Sequence, residues 1–159
     1  MVITIKSESL NSDKRIFADY EALYIAKPMA ILSSDHLKLF HLKTGYVTAI
    51  LSREVSVFKD EFKIRLLNEN NVSLKFTRID IWAHGYKGVY LENHYEVKPL
   101  GTFDYSIYRN RAVIVSWKNA IGLGEIDDFE ILSIDNDLEL LVCLCLIIHN
   151  KQCQRRNPD

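Results

Sequence analysis

Apolar and polar residues alternate along most of this chain, and the rhythm changes once, near residue 135. Phe62, Lys63, Ile64, Arg65, Leu66 puts its two cations on one face of an extended segment, and Val72, Ser73, Leu74, Lys75, Phe76 repeats the period. The same alternation runs through Phe103 to Ile107 and around Arg78 to Trp82. Turn-forming residues separate the runs: Lys43-Thr44-Gly45, Asn68 to Asn71, Gly85 to Gly88 and Asn110-Arg111. Between about Val2 and Ile134 the pattern predicts short antiparallel strands, closing into a barrel or folding over as a sandwich.

Downstream, nine apolar residues follow one another from Leu140 to Ile148. Asn136 with Glu139 three residues later reads as a capping box, and Asp135 and Asp137 suit the positive end of a helix dipole. His149, Asn150 and Lys151 are residue types that close a helix. Val142, Ile147 and Ile148 would also suit a strand, but the length and the caps favour a helix over about 137–150. Such a helix has no polar face and must be surrounded on every side. The run spans about 14 Å at roughly 1.5 Å per residue, against about 30 Å of bilayer hydrocarbon. Protein must therefore supply the surroundings. A closed sheet wrapped round one central helix accommodates both halves, so the predicted fold is mainly β with a plugging helix. One domain over 1–151 and a polar tail over 152–159 follow.

Composition adds exclusions. In 159 residues, 20 basic and 21 acidic side chains leave a net charge of −1, which provides no overall footprint for nucleic acid. Met1 to Lys6 lacks the pattern of a signal peptide, and three cysteines make no disulfide framework, so a cytoplasmic setting is expected.

The stretch from Gly101 to Asn150 resembles the carboxy-terminal half of the tubby-like group. The likeness is to the LURP-one-related proteins and their small bacterial relatives, with phospholipid scramblases as more distant kin. Gly101 and Phe103 carry it, then Tyr105 and Ile107, the Asn110-Arg111 turn, and Val113, Val115, Ser116 and Lys118. Asp127, Asp128 and Phe129 match an acidic loop, and Asp137 leads into the apolar Leu140 to Ile148. The chain departs from the pattern at Arg111, where a turn glycine is usual, and at His149, where relatives commonly carry an aspartate. The resemblance implies a twelve-stranded barrel around a buried helix and, through tubby itself, phosphoinositide binding.

Candidate chemistry is sparse. His36, His41, His84, His94 and His149 show no metal-binding spacing and read as surface or structural residues. Cys143 and Cys145 point to different sides of a helix, while Cys153 in the polar tail is the one cysteine expected to react. Seven carboxylates from Glu125 to Glu139 lack the spacing of a calcium loop and read as a solvated loop with a helix cap. Gly122 and Gly124 read as a turn, and Asn71-Val72-Ser73 as a sequon by letter alone.

No nucleophile–base pair, cofactor motif or metal site shows, so a non-enzymatic domain is expected. From His36 to Arg78, eight basic residues face four acidic ones. Lys59, Lys63, Arg65 and Lys75 are the candidate contacts to lipid headgroups, each cation contributing about 1 kcal/mol near an anionic surface. The expected partners are anionic phospholipid at a membrane surface or another protein. Lys151, Arg155 and Arg156 add charge but form no polybasic cluster. The proline-rich leader and cysteine cluster of scramblases are absent, and a plugged lumen disfavours a lipocalin-like carrier.

Overall fold

The computed structural model describes residues 1–29, 36–67, 71–79, 85–99, 105–119, 125–133 and 137–156. These form twelve strands and one helix. Strands β1 (Val2–Ser7), β2 (Lys14–Ala18), β3 (Glu21–Pro28) and β4 (Leu37–His41) come first. Next are β5 (Val47–Ser56), β6 (Lys59–Leu66), β7 (Val72–Arg78) and β8 (Tyr86–Tyr90). Then follow β9 (Asn93–Pro99), β10 (Tyr105–Arg109), β11 (Ala112–Asn119) and β12 (Glu125–Ile131). Each pairs antiparallel with its neighbour in sequence, and β1 closes the barrel against β12. Of the two predicted architectures, the barrel is the one formed.

Period-two burial explains why the strands curl around a core. Ile3 and Ile5, Phe62 and Ile64, Leu74 and Phe76 turn inward, while the residues between them face out. Closure removes the open edges that such short strands would otherwise expose. Three connections are tight turns with two consecutive left-handed residues: Asp19-Tyr20, Leu91-Glu92 and Asn110-Arg111. Arg111 thus holds φ +71°, a conformation that suits the glycine usual there. Asn110 secures the turn by accepting the His94 N–H and donating to Asn93.

Helix α1 (Leu138–Arg156) fills the lumen, and Leu140 to Ile148 are all buried. It begins at Asp137, whose side chain accepts the Leu140 N–H at 3.1 Å. Asn136, offered as the cap, lies outside the described residues, as do His84, Gly101, Phe103, Gly122 and Gly124. The first turn is also tied to the wall, because Tyr24 donates to Glu139 at 3.0 Å and Tyr90 to Asp137 at 3.3 Å.

Three expectations need correction. The helix does not stop near residue 150 but continues to Arg156, with His149, Asn150, Gln152 and Cys153 buried. His149 reads as part of a stop signal because its partners, Ser7 and Asp127, lie on distant strands. Asp127 to Phe129 belong to strand β12 rather than to a solvated loop. Gly88, expected in a turn, sits inside β8, where a Cβ would come within 2.7 Å of the Lys75 carbonyl oxygen and 3.0 Å of the Phe76 ring.

Candidate functional site

The outer wall over β6 and β7 carries the predicted cations. Lys63 stands directly opposite Lys75 across the ladder, and Arg65 lies two residues along from Lys63 on the same outward face. Neighbouring rungs place Lys38 beyond Ile50 from Arg65, and Lys87 opposite Thr77. Like charges directly opposed across a ladder are unfavourable by roughly 0.2–1 kcal/mol, so their placement is not what holds the wall together.

The four candidates do not share one environment. Lys59 pairs with Glu54 and Glu61, each at 3.2 Å, and Lys63 reaches the same carboxylates at 3.5 and 4.0 Å. The Lys59 hydrogen bond holds the exposed Glu54 carboxyl below its ordinary range. Arg65 donates to Asn71 at 3.3 Å. Among the described residues Lys75, Lys38 and Lys87 make no ion pair. Beside Lys75 a shallow groove of about 520 Å³ opens on the outer surface, bordered by Thr77, Lys87, Gly88, His94 and Glu96.

A second cluster, inside the barrel, was missed in the sequence. It lies at the rim where β1 ends and β12 begins, around the last turns of α1. Ser7 pairs across the sheet with Lys14 on one side and Glu125 on the other, and all three are buried. The Ser7 Oγ lies 2.8 Å from His149 Nε2, and His149 Nδ1 lies 2.6 Å from Asp127 Oδ2. In the neutral ring whose Nδ1 proton is directed at the carboxylate, Nε2 accepts from the Ser7 hydroxyl. Asp127 Oδ1 accepts from Trp117 Nε1 at 3.0 Å and from Arg156 at 2.6 Å, and Arg156 also reaches Glu125 at 2.8 Å.

The electrostatics follow from this arrangement. Burial alone would raise the Asp127 pKa, but hydrogen bonds from His149, Arg156 and Trp117 more than offset it and hold the carboxyl below its usual range. Burial pulls the Lys14 pKa down, and its ammonium donates to the Leu10 and Ser12 carbonyls at 2.7 and 2.8 Å. Cys153, expected to be reactive, is buried beside this cluster. Burial first, and Glu125 second, push its thiol to about 12, so thiolate is scarce at neutral pH.

A serine, a histidine and an aspartate in this order resemble a nucleophile–base–acid relay. Their setting is that of an anchor. Ser7 is only 9% exposed and faces the helix, on a strand hydrogen-bonded along both edges. The network joins β1, β11 and β12 to the helix end. A sequence signal for it existed, since Asp127 shares inward parity with Phe129 and Ile131, as Ser7 does with Ile3 and Ile5. The acidic composition around Asp127 masked that parity.

The β5–β6 hairpin extends from the basic wall. Beyond Leu51 and Glu61 its arms pair only with each other among the described residues, down to the Ser56–Lys59 rung. Arg53 grips Asp60 with two hydrogen bonds, 2.9 and 3.1 Å, and Tyr86 donates to Asp60 at 2.8 Å. Lys151, on the helix, lies over the Tyr86 ring at 5.0 Å.

No family model and no curated protein matches the chain. Among solved structures it is similar to the X-ray structure of a LURP-one-related protein from Arabidopsis thaliana. The TM-score is 0.62 and the identity 11%, over 95% of this chain and 91% of that one. At that identity the likeness shows a shared fold alone. Among the described residues no helix is long and apolar enough to cross a membrane.

Proposed function

We propose that this chain is a non-enzymatic, tubby-like binding domain whose outer wall over β6 and β7 meets anionic phospholipid headgroups, phosphoinositides among them, at a membrane surface. One observation carries the reading: Lys63 and Lys75 are set directly opposite each other, with Arg65 alongside, where sheet stability disfavours like charges. A polyanionic headgroup would turn that repulsion into attraction. The groove between Lys75, Lys87 and His94 offers such a group a concave seat. The tubby-like resemblance points to the same ligand class.

The test is vesicle co-sedimentation at low and physiological salt with neutral, phosphatidylserine and phosphoinositide membranes. Wild-type protein is expected to bind only the anionic vesicles, more weakly as salt rises, while a Lys63→Glu/Arg65→Glu variant stays in solution. Failure of the wild type to bind any vesicle would leave protein interaction as the role of the wall.

A further inference from the structure

The exposed end of the β5–β6 hairpin bears residues that neither the turn nor the core requires. Val57 and Phe58 form the connection, 92% and 98% exposed, and Val55 on the arm before them is 60% exposed. Val55 shares the parity of Ala49 and Leu51, which point into the barrel. Its exposure therefore shows that the hairpin end overshoots the packed core. Two-residue turns favour glycine, asparagine or aspartate, which take left-handed angles or hydrogen-bond locally. Neither Val57 nor Phe58 has a positive φ. Turn chemistry thus gives no reason for either side chain.

The hairpin is also braced. Arg53 and Asp60 clasp its two arms, and Tyr86 fixes Asp60 to the barrel wall. A held tip presents its apolar side chains without the ordering cost of a loose loop. Lys59 follows Phe58 directly, and Lys63 continues along the same strand. Among the described residues, the three most exposed apolar ones outside this hairpin, Tyr20, Tyr46 and Leu91, lie at the opposite rim in three separate connections. Asp19, Glu21 and Glu92 flank two of them, with Lys43 reaching Glu21 at 3.5 Å, whereas the carboxylates near the tip, Glu54, Asp60 and Glu61, each lie within 4.0 Å of Lys59, Lys63 or Arg53.

We infer that the Val57–Phe58 tip is a membrane wedge, entering the headgroup–acyl boundary of an anionic bilayer while Lys59 and Lys63 stay at the level of the phosphates. An aromatic and an aliphatic side chain are suited to that boundary, and the lysines can snorkel beside them. This inference rests on the lipid-surface reading of the wall and adds an apolar anchor to it.

The experiment compares wild type, Val57→Ser/Phe58→Ser and Lys63→Glu/Lys75→Glu on vesicles of phosphatidylcholine with phosphatidylserine, across a salt series. A Phe58→Trp protein is added to vesicles whose acyl chains are brominated near the headgroup. The tip variant is expected to bind about tenfold more weakly with an unchanged salt slope. The wall variant is expected to lose the salt-dependent part, and emission from the tryptophan at position 58 to be quenched. A tip variant that binds like wild type, beside a wall variant that fails, would overturn the wedge and leave the wall reading standing. No binding by any of the proteins would overturn both. A wild type that forms a dimer, dissolved by the tip substitutions while vesicle binding is unchanged, would overturn the wedge by assigning the tip to a second copy of this chain. Circular dichroism of each variant controls for folding.

Discussion

Two sets of charges sit on opposite sides of one sheet and obey different energetics. At the inner rim, the buried Asp127 and Glu125 are clustered around His149 and Ser7, and Arg156 reaches both carboxylates from the partly exposed helix end. Outside, Lys59 and Lys63 share the exposed Glu54 and the buried Glu61, while Lys75 faces Lys63 with no ion pair of its own among the described residues. A buried carboxylate that loses its partners must still bear its desolvation, whereas an exposed ammonium falls back on water. The inner set therefore holds the helix in the barrel. The outer set contributes little to the fold and is left for a partner.

A substitution series graded by burial should break that contrast if it is wrong. Asp127→Asn leaves Arg156 and His149 without their carboxylate and should destabilise the fold by about 3–5 kcal/mol, read as a shifted urea midpoint. The native pKa of Asp127 lies below its unfolded value near 3.9. Its contribution is therefore full above that value and lost as pH falls through the native one. Thermal melts of wild type should drop steeply below about pH 4, and those of the Asn variant less so.

Asp60→Ala tests the middle of the gradient. The Arg53–Asp60 pair is only partly exposed, at 15% and 12% of the two side chains, and the substitution should cost about 1.5–3 kcal/mol. Lys75→Ser should shift stability by less than about 0.5 kcal/mol, tending toward stabilisation because it relieves the opposition to Lys63. A loss at Lys75 as large as that at Asp127 would show that the outer wall is structural after all.

Much of the barrel could be read in advance. The alternation through Phe62–Leu66 and Val72–Phe76 matches β6 and β7, and the faces assigned to Lys63, Arg65 and Lys75 are outward. The absence of a polar face over Leu140–Ile148 correctly required a helix enclosed by protein. Gly88 was misread because its need for close approach to Lys75 and Phe76 comes from the neighbouring strand. The helix end was misread for a similar reason, since His149, Asn150 and Gln152 look like surface residues until their burial is seen.

The candidate basic site was legible as a set of residues on a common face, but not as a set of pairings. Lys63 opposite Lys75 depends on the register between β6 and β7, and the pairing of Lys59 and Lys63 with Glu54 and Glu61 depends on that between β5 and β6. Period alone assigns a side chain to a face, while a neighbour requires register.

Hydrophobic periodicity within single segments determined the class of the fold, the wall and the plug, because a residue's burial follows from its parity or its angle around a helix axis. Tertiary structure alone decided how the plug is locked. Ser7 meets His149 across 142 positions of sequence, and Asp127 meets Arg156 across 29. Such contacts depend on the closure of the whole sheet around the helix, a geometry to which every strand contributes and no single segment can encode.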